Sequence, residues 1–157
     1  DFLVAIGDNY TRMQIVKDLL NRVPAEHLPS LAHPTCSIAQ SARIAPASVL
    51  LQGAILCAGA RVDEGCIMNT GSILEHESQL KAYSSLGPSA SVGGRSIIGR
   101  CSFVGIGASV KHCVEVGDHA VIGAQSYVHQ DLPSKVVAFG NPARIRQSRD
   151  ETDSYLQ

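Results

Sequence analysis

Between residues 38 and 128 every sixth residue is aliphatic, from Ile38, Ile44 and Leu50 through to Val116, Ile122 and Val128, without an insertion or a deletion. Two positions before each of these stands Ala, Ser or Cys, with Val114 as the one departure. By the broad count 45% of the chain is hydrophobic, so an unbroken register of this length is not a composition effect.

A period of six matches neither the 3.6 of a helix nor the two of a plain strand. It fits a chain that turns a corner after each short strand, with one aliphatic side chain per face directed inward. The small residue two places earlier also points inward, near the corner, where a larger side chain does not fit. Three faces then make a coil of eighteen residues, and coils stack at the inter-strand spacing of roughly 4.8 Å. The expected fold class is an all-β solenoid, a parallel β-helix of hexapeptide repeats. A sandwich of short strands would break register at its turns.

Tryptophan is absent and aromatics are 4%, as a narrow coil interior requires. A net charge of −1 with no basic stripe argues against nucleic acid as a partner. No targeting or membrane-spanning segment is visible. The cysteines, Cys36, Cys57, Cys66, Cys101 and Cys113, are odd in number and form no C-x-x-C pair, so free thiols in a reducing cytoplasm are expected.

In chain order, residues 1–32 form a βα unit and linker. FLVAI (residues 2–6) is the expected buried strand and Gly7-Asp8-Asn9 its turn. Thr11 is the expected cap of a helix running to Leu20, with Ile15 and Leu19 on its apolar face. The unit is either the end of a longer α/β domain or a brace on the first coil. The β-helix occupies residues 33–131, with a little over five coils. From Leu86 onward the residue after the aliphatic is often Gly, a pattern suited to a left-handed backbone at the corner. Residues 132–157 form a C-terminal extension that returns along the coil, ending in a polar tail, either a short helix or disordered.

The densest chemistry lies at Asn69 and at Glu75-His76-Glu77. A histidine flanked by carboxylates can be held in one tautomer and act as a base. At eighteen-residue spacing His76 shares a column with Gly94 and His112. The bare backbone of Gly93-Gly94 lets a ligand approach an N–H closely, and a base beside such a donor suits acyl transfer. A solvated corner histidine among charges is the competing reading.

With these hexads, the segments VAIGDNYTRMQIV, LAHPTCSIAQSARI and IMNTGSILEHES, and Gly140-Asn141-Pro142-Ala143-Arg144, the chain resembles the left-handed β-helix acyltransferases. Within them it is most similar to the sugar O- and N-acetyltransferases of sialic-acid and bacillosamine-type biosynthesis, lacking most of their N-terminal nucleotide-binding domain. The resemblance implies an acetyl-CoA-dependent transfer to an amine or hydroxyl of a nucleotide-linked sugar by a cytoplasmic homotrimer. It implies His76 as general base, Glu77 as its orienting carboxylate and Asn69 beside the acceptor. It further implies that Gly94, Ile106 and Ala124 bind acetyl-CoA. Ser85 stands where such enzymes often carry a second histidine near the cofactor sulfur, and is a further candidate for cofactor binding. No metal is expected. The trimeric β-helix carbonic anhydrases offer an alternative, but their third ligand would fall on Gly117, and His119 lies in another column. A non-catalytic β-helix that only binds is the third reading.

Overall fold

The computed structural model describes residues 1–155. From Leu31 the chain winds into two-residue strands six residues apart, each hydrogen-bonded in parallel to the strand eighteen residues on. Three sheets result. The first contains Leu31–Ala32, Val49–Leu50, Ile67–Met68, Ser85–Leu86, Phe103–Val104 and Val121–Ile122. The second runs from Ser37–Ile38 to Tyr127–Val128, and the third from Arg43–Ile44 to Glu115–Val116.

The aliphatic of each hexad is the second residue of its strand and points into the coil. Leu74, Leu80, Leu86, Val92, Ile98 and Val104 are fully buried. Ile38 is 41% exposed because no coil lies beneath it. The small inward residues do more than leave room. Ser78 Oγ donates to Gly93 O at 2.8 Å, and Ser96 and Ser102 repeat the bond to Lys111 O and Gly117 O. Each hydroxyl thereby satisfies a corner carbonyl that the ladder misses.

The glycines after the aliphatics have a different cause from the one expected. The left-handed backbone falls two residues later, at Gly53, Gly59, Gly65 and Gly71, and also at non-glycines such as Glu77 (φ 57°) and Arg95 (φ 59°). Gly93 and Gly99 are instead required by space. A Cβ on them would come within 2.6 Å of His112 N and 2.4 Å of Gly117 C in the next coil.

The N-terminal segment also differs from expectation. Residues 2–6 form no strand, and Phe2 and Leu3 are about half exposed; the segment has no sheet to join. The helix is Asn9–Leu20, capped by Asp8, whose carboxylate accepts from Thr11 N at 2.9 Å. Its buried face is Asn9, Arg12, Met13 and Val16, whereas Ile15 is exposed.

That face meets the corner between the third and first sheets, where Gly65, Tyr83 and Cys101 stack at eighteen-residue spacing. Arg12 is 1% exposed and donates to Gly65 O (2.8 Å), Tyr83 O (2.9 Å) and Ser85 Oγ (2.9 Å), and to Ile6 O and Gly7 O. Asn9 Nδ2 bonds Cys101 O and Ser102 O, and its carbonyl receives Arg12 and Ser85. Burial lowers the guanidinium pKa, yet carbonyl dipoles on two coils and on the Ile6-Gly7 segment compensate its charge.

After the last coil, Val136–Gly140 joins the first sheet beside Val121–Ile122 and pairs antiparallel with Ala143–Ser148. The polar tail is folded up to residue 155. Arg149 is buried and donates to His119 O at 2.8 Å. Tyr155 stacks on Phe103 at 4.5 Å, accepts from Asn9 N and donates to Gly7 O. Leu156 and Gln157, the end of the expected tail, lie outside the described residues.

All five cysteines are free thiols. Burial pushes Cys66 up to about 12 and raises Cys101, whereas Cys113 is exposed. Because the thiolate is the nucleophile, alkylation of the native protein at mildly alkaline pH is expected to label Cys113 first. Cys66 and Cys101 should react only after denaturant is added, as peptide mass mapping will show.

Candidate active site at the corner between the second and third sheets

Strand Ile73–Leu74 ends the second-sheet face, and Leu74 is anchored in the core. Glu75 N then donates to Val92 O, and Glu77 N to Ala58 O, so the corner is pinned to the coil on either side. His76 stands at its tip with its side chain 52% exposed. Its Nδ1 lies 3.4 Å from Glu77 Oε2, and its backbone N–H faces Glu75 Oε2 at 3.3 Å.

The ring extends over the next coil. A Cβ on Gly94 would fall 2.4 Å from His76 Nε2, so only glycine leaves room for the imidazole in this place. Gly94 is buried, and its N–H has no acceptor among the described residues. The corner that carries it is held by the Ser78 bond to Gly93 O and by Arg95 N donating to His76 O at 2.9 Å. An imidazole with a carboxylate on Nδ1 thus stands with Nε2 beside a free backbone donor, an arrangement that could serve acyl transfer.

The other expected site residues lie elsewhere on the chain. Asn69, Ile106 and Ala124 gather at the corner between the first and second sheets, the opposite edge of the second sheet from His76. Ile106 is 54% exposed there, and Asn69 Nδ2 donates to Leu86 O at 2.7 Å. Ser85 is on the first sheet under the helix, 3% exposed, with its hydroxyl committed to Asn9 Oδ1 (2.6 Å) and Arg12. The structure therefore reassigns Ser85 from cofactor contact to the clamp that holds the helix.

Two features escaped the sequence reading. One is the Arg12–Asn9–Ser85 network, which links residues 76 positions apart and has no periodic signal. The other is a groove of about 350 Å³ beside Glu77, lined by Gly59, Arg61, Gln79, Arg95 and Ile97. Eighteen-residue columns could have found it, because Arg43, Arg61 and Gln79 share one column and Glu77 and Arg95 another. Among the described residues no group of three or more His, Cys, Asp or Glu side chains is placed to hold a metal ion.

Comparison with known proteins agrees with the fold. The bacterial transferase hexapeptide family (six repeats) matches residues 95–130. The acetyltransferase domain of PglB from Neisseria gonorrhoeae is similar at 32% identity and a TM-score of 0.90, over 93% of this chain and 70% of that one. The chain belongs to the hexapeptide-repeat, left-handed β-helix sugar acetyltransferase family.

Within this family, a GDP-perosamine N-acetyltransferase from Caulobacter crescentus, solved with CoA and GDP-perosamine, is 30% identical. It aligns over 93% of this chain and 69% of that one, with a TM-score of 0.87. A galactoside O-acetyltransferase from Lactococcus lactis is 39% identical over 51 residues, which span 32% of this chain and 25% of that enzyme. No helix among the described residues is long and apolar enough to cross a membrane.

Proposed function

We propose that the chain transfers the acetyl group of acetyl-CoA to an amino group on a nucleotide-linked sugar. The observation that carries the reading is the juxtaposition of His76 Nε2 with Gly94. Structural relatives that align over most of the chain include an N-acetyltransferase solved with CoA and a nucleotide sugar. The O-acetyltransferase match is confined to about a third of the chain, which favours an amine over a hydroxyl acceptor.

In this reading Glu77 accepts Nδ1–H, leaving the Nε2 lone pair to take a proton from the acceptor. The acceptor nitrogen attacks the thioester carbonyl, and the Gly94 N–H donates to the oxygen as it becomes negative. The carbon–sulfur bond then breaks, the CoA thiolate leaves, and no acyl-enzyme forms. Asn69, Ile106 and Ala124 stand on the other edge of the second sheet, so one chain alone cannot close the site. A homotrimer, in which one copy's His76 corner meets the next copy's Ile106 corner, supplies the missing wall. The unpaired thiols favour a reducing cytoplasm.

The deciding test is calorimetric titration with acetyl-CoA, wild type beside Gly94→Trp, together with the oligomeric mass in solution. Saturable binding by a wild-type trimer, lost when the indole fills the corner, is the expected result. A folded wild-type trimer that does not bind acetyl-CoA would overturn the reading.

A further inference from the structure

The small inward place of each hexad accepts alanine, so a hydroxyl there is not needed to fit the coil. The turn 75–78 lies over Ala60 and closes its own bond, Ser78 N donating to Glu75 O at 3.2 Å. The turn 57–60 over Ala42 closes in the same way, Ala60 N donating to Cys57 O at 3.1 Å. The turn 93–96 lies over Ser78 and is built differently. Among the described residues its Ser96 N finds Ser78 Oγ at 3.4 Å rather than Gly93 O, and the hydroxyl donates to Gly93 O at 2.8 Å. One fully buried hydroxyl is thus inserted into a turn that would otherwise close on itself. Its approach to His76 O, at 3.4 Å, is too long to compete.

The carbonyl that Ser78 holds belongs to the same peptide group as the Gly94 N–H. A trans peptide is planar, so its C=O and N–H point in opposite directions and turn together. Gly93 and Gly94 carry no Cβ, which leaves the rotations on either side of this plane unusually free. Gly93 N donates to Val110 O at 2.8 Å and Gly94 O accepts from Cys113 N at 2.9 Å, but these bonds fix the two neighbouring planes. The Ser78 bond acts on the plane itself. Were the turn to close on itself, the carbonyl would swing toward Ser96 N and the Gly94 N–H would rotate with it. A donor on the carbonyl also polarises the amide, which strengthens its N–H as a donor.

From this arrangement we infer that Ser78 is a positioning residue for acetyl transfer, its hydroxyl setting the direction and strength of the Gly94 N–H toward the thioester oxygen. The inference rests on the proposed acetyl transfer and goes beyond it by giving a role to a core side chain that never meets the substrate. Ser102 supplies the comparison. It bridges Gly117 O (2.7 Å) and Ala120 N (2.8 Å) in the same manner, at the corner between the third and first sheets, away from His76.

The experiment binds acetyl-CoA, labelled with carbon-13 at the thioester carbonyl, to the full chain and records the carbonyl stretch by isotope-edited infrared difference spectroscopy. Wild type is compared with Ser78→Ala and Ser102→Ala. A hydrogen bond to the oxygen lowers the stretching frequency, so wild type should show a band at lower wavenumber than free acetyl-CoA. Ser78→Ala should lose most of that shift, and Ser102→Ala should keep it. CoA, which has no acetyl carbonyl, should bind all three alike by calorimetry, which also shows that the variants are folded; alanine already stands in this place at Ala54, Ala60 and Ala90. A full shift in Ser78→Ala overturns the inference. So does an equal loss in Ser102→Ala, or a loss of CoA binding in Ser78→Ala, either of which would make the role one of coil packing. An unshifted carbonyl on acetyl-CoA bound to wild type would remove Gly94 as the donor, and Ser78 with it. Failure of acetyl-CoA to bind wild type would instead remove the proposed acetyl transfer itself, so the two failures are distinguishable.

Discussion

His76→Ala is expected to lower kcat for acetyl transfer by about 10²–10⁴-fold, the range that a positioned general base contributes. The KM for acetyl-CoA should stay near the wild-type value, because Gly94 and the corner backbone are untouched. The imidazole is about half exposed and is not part of the core, so circular dichroism and melting should barely change. Steady-state kinetics with an accepted amino sugar checks the first part, and calorimetry with acetyl-CoA the second. An unchanged rate would favour a β-helix that only binds, or a base on another residue. The carboxylate 3.4 Å from Nδ1 leads to a smaller effect for Glu77→Gln, since the amide still fills the place without fixing the tautomer.

The second large effect concerns the clamp. Arg12→Met keeps most of the buried volume and removes every donor of the guanidinium. Carbonyls of Gly65, Tyr83, Ile6 and Gly7, together with Asn9 and Ser85, would lose a charge-assisted partner in a dry place. Bonds to charged groups contribute roughly 1.5–3 kcal/mol each and are not additive, so a total cost of at least about 3 kcal/mol is expected. For a domain of this size that is a fall in Tm of roughly 6–12 °C. Scanning calorimetry measures it, and hydrogen exchange should place the loosening at residues 9–20 and at the corners they touch. A melting temperature within a degree or two of wild type would mean that the helix contributes little to the fold.

The clamp shows where sequence reading stopped. Ser85 is in register as the residue before an inward aliphatic, which correctly makes it outward-facing. Nothing in its neighbours says that a helix 76 positions earlier covers it. The same blindness misplaced the helix face, because Arg12 and Asn9 appear polar and Ile15 apolar until the carbonyl column of Gly65, Tyr83 and Cys101 is seen beneath them. The tail after residue 147 was unreadable for a related reason. Its order depends on Tyr155 meeting Phe103 and Asn9, contacts that no local propensity encodes.

What the sequence determined by itself was the solenoid and the columns in which its residues stack. A strict period of six leaves no other way to bury one aliphatic per strand, and the eighteen-residue coil then dictates that His76 overlies Gly94. Periodic interactions are legible because each repeats the same local contact with its nearest coil. The tertiary structure alone decided which glycines serve the backbone and which serve space, and that Glu77 and Arg95 carry the left-handed corners. It also decided that Ser85 lies beneath the helix, with its hydroxyl committed to Asn9 and Arg12. These are facts about directions in space between elements, and a one-dimensional register carries no information about them.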